Sequence, residues 1–193
     1  LSATGTIHKI DPQNPGDIDE NITGTATGYT SGLGGLVIDA SGVYHLASNT
    51  GGTIAKTQGS SSITTSPRGL AYDSVNEHFY LLVNGSGGND RIIVLDTDGA
   101  VVSGKDSIDT GTTDAEGLAY LSGSIYIQYS SNNDAKMKAY NISGASLGSE
   151  ISVTTQGGGT EYKASTSNGS TIFGFDGAGS RGGTFDTSGD SDE

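Results

Sequence analysis

The chain has 193 residues, enough for one domain with a substantial core. Its 22 acidic and 9 basic residues give a net charge of −13, which repels phosphate backbones and argues against nucleic acid as a partner. Cys is absent, which excludes disulfides, thiolate metal sites and thiol nucleophiles, and the longest strongly apolar run, IIVL at 92–95, is too short to insert into a membrane as a helix.

Helical periodicity is nearly absent. Short β-rich runs bounded by Gly, Asn, Asp and Ser recur instead, with DG and NG pairs marking tight turns. At the N-terminus GTIHKIDPQ (5–13) and NITGTATG (21–28) read as a third and a fourth strand of a repeating unit, joined by a loop over 11–21 rich in Asp and Asn. Three units of four strands follow, over about 33–66, 67–113 and 114–157. Their first strands are GLVID (35–39), GLAYD (69–73) and GLAYL (117–121), and their second strands VYHLA (43–47), FYLLV (79–83) and IYIQY (125–129). TIAKT (53–57), IIVLDTDG (92–99) and MKAYNISG (137–144) read as third strands, and SSITT (61–65), KDSID (105–109) and EISVTT (150–155) as fourth strands. TEYKAST (160–166), TIFGF (171–175) and GGTFDTSG (182–189) then read as first, second and third strands of a last unit, and residues 187–193 as an acidic, disordered tail. The total is about seventeen strands.

The Gly that opens each first strand recurs after 34 and then 48 residues, a mean near 40. A four-stranded unit at that period is the pattern of β-propeller blades. The expected fold is therefore an all-β propeller of four-stranded antiparallel blades, about four to five in number. Its partial units, 1–32 and 158–193, either close the ring together or leave it for another chain to complete. Leu36, Leu70, Leu118, Val43, Leu46, Phe79, Leu81, Ile125 and Ile127 are the expected core, with Tyr72 and Tyr120 beside them.

The phrase DAEGLAYLSGSIYI…MKAYNISG resembles repeats of secreted bacterial β-propellers of the NHL-like, SdiA-regulated and esterase-like phytase groups, over most of 33–144. In those groups an acidic residue before GLAY can face the central channel and help bind a metal or substrate, which the resemblance transfers to Glu116. The equivalent positions here hold Arg68 and Gly34, so a carboxylate ring does not follow and an Arg68–Glu116 pair at the channel mouth is the other expectation.

Calcium is the cation that the acidic loops would take, because hard cations prefer carboxylate and carbonyl oxygens. Asp96 and Asp98 in DTDG carry part of a calcium-loop pattern, and Asp11, Asp17, Asp19 and Glu20 gather in the N-terminal loop. Solvated turns are the plainer explanation of both. His8, His45 and His78 stand singly without metal-ligand spacing, and no serine-nucleophile elbow or phosphate loop is present. N-x-Ser/Thr patterns at Asn21, Asn84, Asn141 and Asn168 are about as many as composition alone produces.

The leading functional expectation is a non-enzymatic surface module, extracellular, on a cell or on a virion, that contacts glycans or proteins or assembles with copies of itself into an oligomer or filament. One alternative is a calcium-dependent hydrolase of the lactonase or phosphoesterase kind, with Glu116 and Asp73, Asp114 or Asp134 as metal ligands. Another is a piece of a larger propeller protein, which the start at Leu1 suggests.

Overall fold

This computed structural model describes residues 7–11, 14–22, 33–38, 44–48, 53–56, 59–62, 67–85, 87–105, 107–131, 134–153, 162–167, 170–176, 181–185 and 187. Side chains are described over 67–153 apart from 86, 106 and 131–134, and again at 165–167, 170–174, 184 and 187. These residues form seventeen strands in five antiparallel sheets, each sheet built from strands consecutive in the chain. A hairpin pairs β1 (Ile7–Asp11) with β2 (Asn14–Ile22). The next sheet holds β3 (Leu33–Ile38), β4 (Tyr44–Ser48), β5 (Thr53–Lys56) and β6 (Gly59–Ser62). It is followed by β7 (Pro67–Asp73), β8 (His78–Val83), β9 (Arg91–Leu95) and β10 (Ile108–Asp109). Then come β11 (Ala115–Leu121), β12 (Ser124–Ser131), β13 (Asp134–Asn141) and β14 (Ile151–Ser152). A three-stranded sheet of β15 (Tyr162–Ser167), β16 (Ile172–Asp176) and β17 (Arg181–Phe185) is last.

The strand count agrees with the sequence reading, but two local expectations are corrected. The loop expected over 11–21 is a hairpin, with Asp17, Asp19 and Glu20 inside β2 and register shifts at Ile10 that absorb its irregular sequence. NITGTATG contributes only its first residues to that strand, and 23–28 lie outside the described residues. Two of the fourth strands, β10 and β14, are also shorter than expected. In the third sheet the partner of β9 is broken into pieces: Leu95 bridges Val101, Val94 N–H donates to Lys105, and pairing resumes at Ile108 after Gly104 turns at φ 75°. Val43 and most of the acidic tail lie outside the described residues.

The sheets meet through their first strands, β3 beside β7, β7 beside β11, and β11 beside β15. Such strands are covered on both sides, and β7 and β11 accordingly share one pattern in which five of seven residues are buried. Leu70, Leu118, Phe79, Leu81, Ile125 and Ile127 are buried as expected, while Tyr72 and Tyr120 are half-buried. Tyr80 stacks on Tyr120 of the next sheet with ring centroids 5.4 Å apart, a pairing of aromatic faces that adds about 0.5–1.5 kcal/mol to burial.

Gly69 shows why glycine opens these strands. A Cβ there would lie 2.9 Å from Leu118 Cβ and 3.2 Å from Leu118 N, both rigid points of the neighbouring strand. Gly69→Ala is therefore expected to force β7 and β11 apart and to cost about 1–3 kcal/mol in a denaturant titration. An unchanged midpoint would show that the strands have slack at this contact.

Candidate functional site

The first strands share a second device. In each, one residue near the start is skipped by the ladder: Gly34 in β3, Arg68 in β7, Glu116 in β11 and Lys163 in β15. A bulge of this kind re-aims the residue out of the sheet and sharpens the local twist. Four bulged positions thus line the same end of four neighbouring strands. Lys163 carries no such mark in the sequence because Ala-Ser stands where Gly-Leu opens the other three strands. The spacing was a signal: 116 to 163 is 47 residues, against 48 from 68 to 116.

Arg68 and Glu116 meet, with Arg68 Nη1 3.2 Å from Glu116 Oε1. The same guanidinium nitrogen donates to the Ala115 carbonyl at 3.3 Å. Both side chains are partly open to solvent, so the pair is a charged rim. A buried carboxylate holds that rim in place. Asp90 Oδ2 accepts from Ala115 N–H at 2.8 Å, and its Oδ1 accepts from Gly85 N–H at 3.1 Å. Its main chain bonds Thr112 O and Thr110 N–H, so Asp90 clasps the β8–β9 loop to the segment that enters β11. Tyr140 O–H donates to Thr110 O in the same segment.

The other acids expected to do chemistry are occupied in turns or stand apart. Asp73 is buried: its Oδ1 accepts from Val75 N–H at 2.9 Å and Asn76 N–H at 3.2 Å, and its Oδ2 from Asn76 Nδ2 at 2.6 Å and Tyr80 O–H at 3.3 Å. Burial works to raise its pKa, but hydrogen bonds from Asn76, Val75 and Tyr120 outweigh it and hold the carboxyl below the usual carboxylate range. Tyr120 is pushed up to about 12, by burial first and then by its hydrogen bond to Asp73. Asp96 Oδ1 accepts from Asp98 N–H at 3.0 Å and Ala100 N–H at 2.8 Å, closing the turn in which Gly99 sits at φ 84°. Asn141 repeats this turn in the next sheet: its Oδ1 accepts from Ser143 and Ala145 N–H, both at 3.0 Å, with Gly144 at φ 90°. An amide serves as well as a carboxylate there, so DTDG is a turn device of the repeat. Asp114 is exposed and accepts from Thr113 Oγ1. Asp134 opens β13, while Asp11 ends β1 and Asp17, Asp19 and Glu20 lie in β2. His8, His45 and His78 fall in three different sheets. Among the described residues no three His, Asp or Glu side chains gather in a metal-holding group.

No family model matches this sequence, and no curated protein matches it. Solved structures do match the fold. A nidogen/laminin complex superposes with TM-score 0.62 at 15% identity, over 95% of this chain and 87% of that one. Glutaminyl cyclase from Myxococcus xanthus gives 0.66 at 17% identity, over 83% and 68%. Virginiamycin B lyase from Staphylococcus aureus gives 0.60 at 15% identity, over 98% of this chain and 62% of that one, so the chain spans under two thirds of the lyase's length. All three are propeller-type proteins, and this chain has a propeller-type fold. At such identities the likeness covers architecture alone, and the matches include both binding and catalytic proteins.

Two measurements check this site. A double-mutant cycle of Arg68→Ala and Glu116→Gln is expected to give a coupling of about 0.2–1 kcal/mol, the range for a solvent-accessible pair. A coupling above this range would mean that the rim is far better shielded than its exposure implies. Asp73→Asn is expected to lower stability at neutral pH by roughly 2–3 kcal/mol, since an amide cannot accept all four bonds. The stability from Asp73 is complete above the ordinary carboxylate range near pH 4 and lost as pH falls through its lowered folded pKa. The variant's stability is therefore expected to fall less steeply below about pH 4. Parallel acid-unfolding curves would refute that assignment.

Proposed function

We propose that this chain is a non-enzymatic propeller module, extracellular or on a cell or virion surface, that binds glycans or proteins through the end of the fold bearing Arg68, Glu116 and Lys163. The observation that carries this reading is the commitment of the acids: Glu116 is paired with Arg68, both oxygens of Asp73 accept hydrogen bonds, and Asp96 Oδ1 closes its own turn. A carboxylate held by a guanidinium is a poor general base, and one closed into a turn is poorly placed to ligate a catalytic cation. A mixed-charge rim on rigid strands suits recognition.

In this reading the five sheets count as four to five blades with incomplete terminal ones. The NHL-like, SdiA-regulated and esterase-like phytase groups remain the proposed background of the repeat. Calcium enters as a structural ion, and self-assembly as a second use of the same surface.

The test is an assay of model phosphoesters and lactones with calcium and with chelator, run beside a neutral-glycan array. The expected result is no turnover above buffer together with saturable binding on the array. Calcium-dependent turnover that disappears in Glu116→Gln would overturn the reading in favour of the hydrolase. Light scattering separates the two forms of the module, since a mass near 19.5 kDa marks a monomer and a multiple marks assembly.

A further inference from the structure

One strand interface differs from its neighbour in kind. Where β7 meets β11, Gly69 pairs with Leu82 and faces Leu118, and both leucines are buried. The same positions where β11 meets β15 are Gly117, which pairs with Gln128, and Ser165, one residue past the Ala164 that replaces the glycine. Two leucines have become a glutamine and a serine. Gln128 is 1% exposed, and among the described residues neither its Nε2 nor its Oε1 has a hydrogen-bond partner, nor does the buried Oγ of Ser165. These atoms crowd the face of Gly117: the position a Cβ would take there is 2.7 Å from Ser165 Oγ, 3.1 Å from Ser165 N and 3.1 Å from Gln128 Oε1.

Each unmet polar atom in such a place costs about 1–3 kcal/mol relative to a satisfied one, and the adjacent interface shows that apolar side chains fill the same positions. A fold that keeps this departure at one interface keeps it for a reason other than stability. We infer that Gln128, Ser165 and Gly117 form a hydrogen-bonding subsite for one hydroxyl of a neutral carbohydrate, one residue deeper along β11 than the Arg68–Glu116 rim.

The chemistry selects that ligand. Gln128 offers two N–H donors and a carbonyl acceptor, and Ser165 offers one hydroxyl, so the complementary group both donates and accepts and carries no charge. The adjacent rim charges neutralise each other, and the acidic chain as a whole repels anions. Ser165 N lies 3.1 Å from the position a Cβ would take on Gly117, so the neighbouring strand covers this glycine as Leu118 covers Gly69. The hydroxyl enters by displacing the Gln128 side chain. The long, unbranched side chain of Gln128 can change rotamer to admit the hydroxyl. This inference rests on the binding-module reading and names its deepest contact.

The test follows the side-chain NH2 of Gln128 by NMR, identified by its loss in Gln128→Leu, while glucose and N-acetylglucosamine are titrated into the whole chain. Saturable shifts of that NH2 and of the Gly117 N–H are expected. The double variant Gln128→Leu/Ser165→Leu, which copies the Leu82–Leu118 pattern, is expected to bind roughly tenfold more weakly. It is also expected to melt at higher temperature, a separation that loss of folding does not produce. Ser165→Ala alone serves the comparison if the double variant does not fold. Equal sugar affinity in the variants overturns the subsite and leaves the module reading standing. Shifts absent in the wild type, with a long-lived water contact at the Gln128 NH2, overturn it in favour of a buried water. Absence of binding both here and on the glycan array overturns the carbohydrate reading as a whole.

Discussion

Close approach of neighbouring first strands is the constraint on which the rest of this fold depends. At Gly69 the next strand comes so near that a methyl group would meet its backbone, and only a residue without a side chain fits. That contact brings β7 and β11 together, aligns the buried faces of their sheets and lets Tyr80 stack on Tyr120. It also sets the spacing of the bulged residues. Arg68 and Glu116 reach each other because their strands are adjacent and in matching register.

Carboxylates serve this chain chiefly as builders of turns and joints. Asp73 closes the β7–β8 turn and receives the hydroxyl of Tyr80, Asp96 closes the turn after β9, and Asp90 ties one loop to the start of the next sheet. Ionised oxygens accept several N–H bonds at once, which suits backbone that leaves a strand with donors unpaired. Small loops need such anchors most where no disulfide or helix cap is available. An abundance of acids therefore tells little about catalysis until each one's partners are known.

The repeat also gives a standard against which departures can be judged. Asp96 and Asn141 occupy one turn position and use it alike, so their difference carries no chemistry. Leu82 with Leu118 and Gln128 with Ser165 occupy one interface position and differ fundamentally, since burying apolar groups is favourable and burying unpaired amides is not. Binding surfaces on repetitive scaffolds arise in this way, by altering a few positions while the frame is conserved between units.

The sequence alone determined the strands seen among the described residues, the four-strand unit and the core of the central sheets. Glycine before an alternating apolar run is a local signal, and short strands follow local patterns. It also put Arg68 and Glu116 at equivalent repeat positions, so their pairing was legible as an expectation. It misread β2, whose Pro, Gly and acids look like a loop until β1 supplies a pairing partner. The bulges, the burial of Asp73 and Asp90 and the meeting of Gly117, Gln128 and Ser165 were decided by tertiary structure alone. The bulges follow from register within hairpins of consecutive strands, which no local run of residues marks. The contacts of Asp90 with Ala115 and of Ser165 with Gly117 follow from packing between sheets.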